Sequence, residues 1–216
     1  MPEQPTSPPP SPAPPALILA GGLGRRINAP ALGGAQKPLV TLGGRPLIAH
    51  VIERLRPQAG PLLINANAPA GTYERFGLPV LPDTVAGYPG PLAGVLAGLD
   101  HLAQIAPASS LVTVAADTPF LPHDLVARLM ERHRETGTVV CAASGGQRHP
   151  VIALWPAAAR AALRQSLEAG RLKVGLLLDA LNAVTVSWDG LPDDPFFNVN
   201  TPEDLAIAEK RLAARQ

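Results

Sequence analysis

Three features are scarce in this sequence of 216 residues: cysteine, net charge and long apolar runs. Cys141 is the only cysteine, so the chain cannot form an internal disulfide, and a lone thiol is typical of a reducing cytoplasm. We therefore predict a cytoplasmic protein in which Cys141 is buried and inert. The formal net charge is +1 without a basic stripe, which argues against nucleic acid as a partner. No apolar run is long enough to cross a bilayer, which argues against a membrane partner.

Apolar residues, in contrast, make up 46% of the chain and charged residues 16%, a composition typical of a globular α/β protein. A chain of this length can bury one substantial core. Proline is concentrated at the start, where residues 2–15 hold eight of the 26 prolines and no large apolar side chain. We therefore predict a disordered or polyproline II tail over residues 1–15 and a single domain over residues 16–216.

Apolar runs typical of buried strands alternate with helical spacing of apolar residues along this domain. Strands are predicted at 16–20, 62–65, 79–83, 111–116, 138–142, 149–155 and 184–186, and helices at 46–55, 91–99, 123–135, 157–169, after 170 and after 202. Thr201 and Asp204 are predicted to form a capping box at the start of the last helix. The alternation predicts a three-layer α/β/α, Rossmann-like domain with a mainly parallel sheet.

A glycine-rich turn follows the first predicted strand, with the sequence Gly21-Gly22-Leu23-Gly24-Arg25-Arg26. Glycine allows a tight turn and close approach to a ligand, and successive N–H groups form a concave anion site. Gly21, Gly22 and Gly24 are therefore predicted to bind phosphate, and Arg25 adds forked donors to it. The turn completes neither a dinucleotide fingerprint nor a Walker A loop, and a simple tight turn is the alternative.

Polar side chains stand where predicted strands end, and ligands of parallel sheets bind beyond those carboxyl ends. Asn65 is a candidate for contact with a base or ribose, or else it caps the next turn. Asp83 ends the next strand. Asp117 follows the strand at 111–116, and Mg²⁺ in phosphoryl chemistry is held by one or two carboxylates and the substrate phosphates. Asp117 is therefore the predicted metal ligand, with an Asx turn as the alternative.

Residues in three further segments are candidates for ligand contact. Gly94 and Gly98 lie on one face of a predicted helix, where either a ligand or a neighbouring strand comes close. Asn198 and Asn200 flank one valine, so an extended segment points both amides to the same side, toward an acceptor or metal. Lys173 is placed to meet an anionic acceptor or, alternatively, lies in a solvated charged turn.

Two further segments, Lys37-Pro38-Leu39-Val40 and Gly43-Gly44-Arg45-Pro46-Leu47-Ile48, follow the glycine turn. With the strand and turn they resemble the opening of nucleotidyltransferases that join a nucleoside monophosphate to a phosphorylated acceptor. In that family the loop wraps the triphosphate and the lysine binds phosphate oxygens. The resemblance therefore implies a catalytic role for Lys37.

Five motifs in order make the resemblance narrower: Leu19-Ala20-Gly21-Gly22, the run from Pro89 to Gly94, Asp117-Thr118-Pro119-Phe120, His149-Pro150 and Asn198-Val199-Asn200-Thr201-Pro202. Together they resemble the molybdenum cofactor guanylyltransferases of the MobA family, from about residue 16 to the end of the chain. The resemblance implies a nucleotidyltransferase fold. It also implies that GTP is bound by Leu19, Ala20, Gly21, Lys37, Asn65, Asp83 and Asp117.

The reaction implied by the resemblance is transfer of GMP from GTP to the terminal phosphate of molybdenum–molybdopterin, with release of pyrophosphate. Mg²⁺ is the implied cofactor, held by Asp117. Transient contact with other molybdenum cofactor biosynthesis proteins or with acceptor molybdoenzymes is expected.

The sequence departs from the family between the arginines and Lys37. The link from Ile27 to Gln36 is longer than usual, and Gln36 replaces an aspartate. The longer link is similar to sugar-1-phosphate nucleotidylyltransferases, which are the alternative enzyme class. A catalytically silent nucleotide-binding adaptor is the third hypothesis, and the presence of both Lys37 and Asp117 argues against it.

Overall fold

A computed structural model describes residues 12–21, 36–85 and 90–215 of the chain. Gly22, Gly24 and Arg25, and most of the link to Gln36, lie outside the described residues. The strands are β1 (Ala16–Leu19), β2 (Thr41–Leu42), β3 (Arg45–Pro46), β4 (Leu62–Asn65), β5 (Val80–Leu81), β6 (Leu111–Ala115), β7 (Val140–Ser144), β8 (Gln147–Trp155) and β9 (Val184–Ser187). The helices are α1 (Leu47–Leu55), α2 (Pro91–Ile105), α3 (Leu125–Thr136), α4 (Ala159–Glu168), α5 (Val174–Ala180) and α6 (Pro202–Ala213).

Seven strands form one sheet in the order β5-β4-β1-β6-β8-β7-β9. The pairs on the β5 side of β6 are parallel, whereas β8 runs antiparallel to both β6 and β7. The prediction of a mainly parallel α/β sheet is therefore confirmed. Since β6 and β7 both run opposite to β8, they share one direction, and their carboxyl ends meet the same edge as those of β1 and β4.

Helices cover both faces of the sheet, as predicted. Side chains of α1 and α3 pack on one face, around Ile18, Val114 and Leu154. Side chains of α2, α4 and α5 pack on the other face, where Leu17 and Trp155 are buried. A third cluster joins α6 to the hairpin of β2 and β3 and to Phe120. Thus α6 lies against the segment that follows Lys37, and this brings distant parts of the chain together.

The segment immediately before β1 packs against the rest of the fold. Pro14 and Pro15, assigned from composition to the tail, are buried. Their carbonyl oxygens accept hydrogen bonds from the N–H groups of Gly60 and Val112, at 2.9 and 3.0 Å. Gly60 allows this approach because a Cβ there would lie 2.5 Å from the Ala13 carbonyl oxygen. Pro14 and Pro15 therefore take part in the hydrogen-bonded structure beside β1 and β6.

Cys141 lies in β7, the strand next to the β9 edge of the sheet, and is fully buried, as predicted. Burial raises the pKa of its thiol to about 11.

Of the helices that the structure describes, none combines the length and apolar character that crossing a membrane requires.

Candidate active site

Three candidate residues from distant parts of the chain meet at the carboxyl edge of the sheet. The Lys37 ammonium donates to Asp117 Oδ2 and to Asn200 Oδ1. Lys37 begins a short 3₁₀ turn, Asp117 lies two residues beyond β6, and Asn200 precedes α6. The side chains of Lys37 and Asp117 are each 17% exposed, so a ligand can reach this ion pair.

Backbone hydrogen bonds hold this cluster from two sides. The Val199 N–H donates to the Asp117 carbonyl oxygen at 3.0 Å and ties the segment before α6 to the end of β6. Asp204 Oδ2 accepts from the N–H groups of Asn200 and Thr201, both at 2.9 Å, and Thr201 Oγ1 accepts from the Asp204 N–H. The predicted capping box is confirmed. It therefore also fixes the backbone that carries Asn200.

The other carboxylate oxygen of Asp117, Oδ1, is buried and has no hydrogen-bond partner among the described residues. An unpartnered buried carboxylate oxygen is costly, so this atom fits a role as ligand for a cation. Within the described residues, no three His, Cys, Asp or Glu side chains gather into a metal cluster. A hard divalent cation held by Asp117 would therefore take its remaining ligands from substrate phosphates and water, as Mg²⁺ commonly does.

A second polar group lies on the β4 and β5 side of the same edge. The Asn65 side-chain amide donates to Asp83 Oδ1 at 2.9 Å and to the Leu81 carbonyl oxygen at 3.1 Å. Asn67 donates to Asp83 Oδ2 at 2.6 Å and accepts from the Asp83 N–H. Asn65 is 3% exposed, and its amide donates to β5 and to Asp83 and not to the turn that follows β4. Asn67 was not predicted as a site residue, because it carries no strand or motif signal of its own.

Gly94 faces this polar group from the first turn of α2. A Cβ at Gly94 would lie 2.2 Å from Asn65 Oδ1 and 2.8 Å from Leu19 Cδ2. The close neighbour of Gly94 in this structure is therefore protein, which supports the packing alternative. A Cβ at Gly21 would lie 3.5 Å from the same Asn65 oxygen, so the start of the glycine loop borders this group as well.

The remaining predicted residues occupy varied positions. The Leu19 side chain is buried beneath α2, and the Ala20 N–H donates to the Asn65 carbonyl oxygen. Asn198 is exposed on the segment that carries Asn200, as an extended alternation requires. Lys173 is exposed before α5, and no hydrogen bond between described residues links its side chain to the Lys37 cluster.

The chain matches the model of the MobA-like NTP transferase domain over residues 16–183. A molybdenum cofactor guanylyltransferase from Bradyrhizobium sp. (strain ORS 278) is 50% identical over 94% of each chain. One from Rhodopseudomonas palustris (strain BisB5) is 49% identical over 94% of this chain and 96% of its own.

Among solved structures, molybdopterin-guanine dinucleotide biosynthesis protein A from Archaeoglobus fulgidus is 26% identical, with a TM-score of 0.75. The alignment covers 93% of this chain and 99% of that protein. The chain therefore belongs to the molybdenum cofactor guanylyltransferases of the MobA-like NTP transferase family and is a nucleotidyltransferase.

Proposed function

We propose that this enzyme transfers GMP from GTP to the terminal phosphate of molybdenum–molybdopterin and releases pyrophosphate. The names of the relatives, and the share of the chain that aligns with them, support GTP and molybdenum–molybdopterin as substrates. The observation that carries the chemistry is the Lys37–Asp117–Asn200 cluster, in which a buried oxygen of Asp117 has no partner among the described residues. This arrangement suits a site that receives a metal-bound triphosphate.

In the proposed ternary complex, Asp117 would hold Mg²⁺, and the bound cation would supply positive charge to the phosphates. The Lys37 ammonium moves from the Asp117 carboxylate to phosphate oxygens. Asn200, which also accepts from Lys37, limits the positions that this ammonium can take. Asp83, oriented by Asn65 and Asn67, contacts the nucleoside. The acceptor phosphate is already an anion and needs no strong base. Alignment of the two substrates and stabilisation of charge therefore provide most of the rate enhancement.

Nucleotide selectivity is the first test of this proposal. Thermal unfolding is followed with Mg²⁺ and GTP, CTP, UTP, dTTP or ATP in turn. GTP at a hundredfold excess over Kd should add about 2.7 kcal/mol to the free energy of unfolding, while the others add less. A preference for UTP or dTTP would contradict the proposal and favour a sugar nucleotidylyltransferase.

Lys37→Ala and Asp117→Asn test the catalytic cluster in an assay of GMP transfer to molybdenum–molybdopterin. Each variant should fold and lose about 100-fold or more in kcat, because Lys37→Ala lacks the cation that contacts the phosphates and Asp117→Asn lacks the carboxylate proposed to hold Mg²⁺. Arg45→Ala is the matched control, since it removes an exposed ion pair with Glu53 outside the cluster. Wild-type turnover by Asp117→Asn would rule out the metal role of this carboxylate.

A further inference from the structure

A second cluster of polar side chains lies on the β7 and β8 side of the same sheet edge. Ser144 ends β7 and is buried. Its Oγ lies 2.6 Å from His149 Nε2 and donates to Asp194 Oδ1 at 2.8 Å. Asp194 Oδ1 also accepts from the Phe196 N–H at 2.9 Å. The hydroxyl thus joins the imidazole on β8 to the segment that leads to Asn200.

The directions of these hydrogen bonds determine which atoms of the cluster carry protons. An ionised Asp194 carboxylate only accepts, so the Ser144 hydroxyl gives its proton to Asp194 and must accept from His149 Nε2. Nε2 therefore carries a proton in both charge states of the ring. Nδ1 is the atom that titrates, and no described residue forms a hydrogen bond with it.

The position of the ring is built into the fold. The register of β7 against β8 shifts between Cys141 and Ala142, and a bulge of this kind redirects side chains. His149 pairs with Ala142 and lies against the Phe196 ring, with centroids 4.7 Å apart. Trp188 supports Phe196 from its edge at 5.3 Å. The imidazole is therefore held in one orientation by polar contacts on one side and an aromatic wall on another.

The sheet order divides the edge into two halves with Asp117 between them. Asn65 and Asp83 lie on one side of β6, and the Ser144 cluster lies on the other. The chain from Asp194 to Asn200 connects this second cluster to the Lys37 pair, with the Val199–Asp117 hydrogen bond between them. If the nucleotide occupies the Asn65 half, the other half is left for the acceptor.

We infer that His149 binds the terminal phosphate of the acceptor through Nδ1, with Ser144 and Asp194 as positioning residues. This inference rests on the proposed function. In the complex of the enzyme with its acceptor, His149 Nδ1 and the acceptor phosphate share one proton. When the acceptor arrives with that proton, its O–H bond breaks and an Nδ1–H bond forms. The freed oxygen attacks the α-phosphorus of GTP, and the bond from that phosphorus to the leaving pyrophosphate breaks. The imidazolium returns the proton to solvent after the product leaves.

The charges around the ring agree with such a role. Burial lowers the pKa of His149, and the Asp194 carboxylate raises it by a smaller amount. Ser144, Phe196 and Trp188 are uncharged, and the neighbouring Arg148 is paired with Asp179. His149 is therefore largely neutral at neutral pH before the acceptor binds. Above neutrality the acceptor phosphate has also lost its proton, because a phosphate monoester has a second pKa of about 6, so acceptor binding takes up a proton from solvent. KM for the acceptor should therefore rise about tenfold per pH unit above neutrality.

Steady-state transfer of GMP to molybdenum–molybdopterin between pH 6 and 9 tests the inference. In His149→Gln, KM for the acceptor should be about tenfold higher at the acid end and should lose its pH dependence, because an amide donates without titrating. Stabilisation by Mg²⁺ and GTP should stay at the wild-type level, and His101→Gln on α2 serves as the control. An acceptor KM in His149→Gln that matches the wild type across this range would overturn the inference.

Asp194→Asn keeps the imidazole and removes the charge that raises its pKa. The rise of the acceptor KM should therefore begin at a lower pH in this variant, a shift that a merely structural role would not produce. An unchanged profile would contradict the positioning role. Failure of the wild type to use GTP and molybdenum–molybdopterin would be visible separately and would overturn the proposed function together with this inference.

Discussion

Asn65 illustrates how far this site depends on single buried side chains. Its amide group donates to Asp83 on one side, while its oxygen lies in the space beside Gly94 on the other. A buried polar group must keep its hydrogen bonds, because losing one costs about 1–3 kcal/mol. The conformation of Asp83 therefore depends on the absence of a side chain at residue 94.

Gly94→Ala should displace Asn65 and weaken GTP binding. The added Cβ would lie 2.2 Å from Asn65 Oδ1, a distance that requires movement of a buried side chain. We expect a loss of stability of about 1–3 kcal/mol from overpacking, which exceeds the gain from replacing a helical glycine. Equilibrium unfolding and GTP titration measure the two effects.

Gly175→Ala in α5 is the matched control for this change, since a Cβ there meets nothing within 4 Å. It should raise the free energy of unfolding by about 0.5–1 kcal/mol, because alanine favours the helix more than glycine does. Equal effects of the two substitutions would show that the contact with Asn65 is unimportant.

The raised pKa of the buried Cys141 thiol predicts that the protein loses stability at alkaline pH. Its pKa is raised from an ordinary value of 9.0 to about 11 by burial. Between these values the folded protein keeps the thiol proton and the unfolded chain loses it, so the free energy of unfolding falls as pH rises. The contribution should approach roughly 2–3 kcal/mol at pH 11. Denaturant unfolding from pH 8 to 11 measures it.

Tyr73 also has a pKa raised by burial, to about 12, so the wild-type slope contains more than one group. Cys141→Ala isolates the thiol, because the variant should lose only the part of the slope that begins near pH 9. If wild type and variant fall in parallel over this range, the buried thiol does not cause the alkaline instability.

Among the secondary structure elements, the buried strands and amphipathic helices were predictable because their apolar periodicity is local. The two hairpins were missed, although Gly43-Gly44 and Gly145-Gly146 each adopt the positive φ values of a two-residue turn. Gly145 and Gly146 connect β7 to β8 and so make β8 antiparallel. A glycine pair between apolar runs was thus the available signal for the main departure from parallel order.

The candidate site was predictable where a residue follows a strand or belongs to a motif, as Asp117 and Asn200 do. Their contacts with Lys37 were not, because residues 37, 117 and 200 meet only after α6 docks on the hairpin of β2 and β3. Ser144 and Asp194 carried no motif of their own. Their hydrogen bonds depend on the register shift in β7 and β8, which sequence periodicity does not encode.

The cap of α6 links helix stability to the active site. Asp204→Ala removes the acceptor for the N–H groups of Asn200 and Thr201. We expect a loss of about 1–2 kcal/mol in stability and roughly tenfold in kcat, because the Asn200 backbone is released beside Lys37. Glu203→Ala is the control, since Glu203 is exposed in the same helical turn. Equal kcat values for these two variants would contradict the link.

At the scale of the whole molecule, the segment before β1 acts as part of the sheet's support. Pro14 and Pro15 provide carbonyl oxygens to Gly60, which follows α1, and to Val112 in β6. The two bonds connect residues that are 46 and 97 positions apart in sequence, and the second gives the N–H of the fully buried Val112 its acceptor. For residues 1–11, which lie outside the described residues, the composition predicts a solvated tail.

Two deletions separate these parts of the N-terminal segment. Deletion of residues 1–11 should leave the unfolding free energy and GTP binding unchanged. Deletion of residues 1–15 should cost about 2–4 kcal/mol, because two backbone hydrogen bonds and the burial of two prolines are lost. Denaturant unfolding of both deletion variants measures the difference. Equal stability of the two would show that residues 12–15 do not support the domain.

Gly60→Ala provides an independent measure of the same contact. A Cβ at residue 60 would lie 2.5 Å from the Ala13 carbonyl oxygen, so the substitution should destabilise the full chain by about 1–3 kcal/mol. In the chain lacking residues 1–15 the clashing atom is gone, and the penalty should disappear. The double-mutant cycle therefore gives the coupling energy between Gly60 and the segment before β1. A penalty of equal size in both chains would mean that Gly60 acts through its own turn and not through this segment.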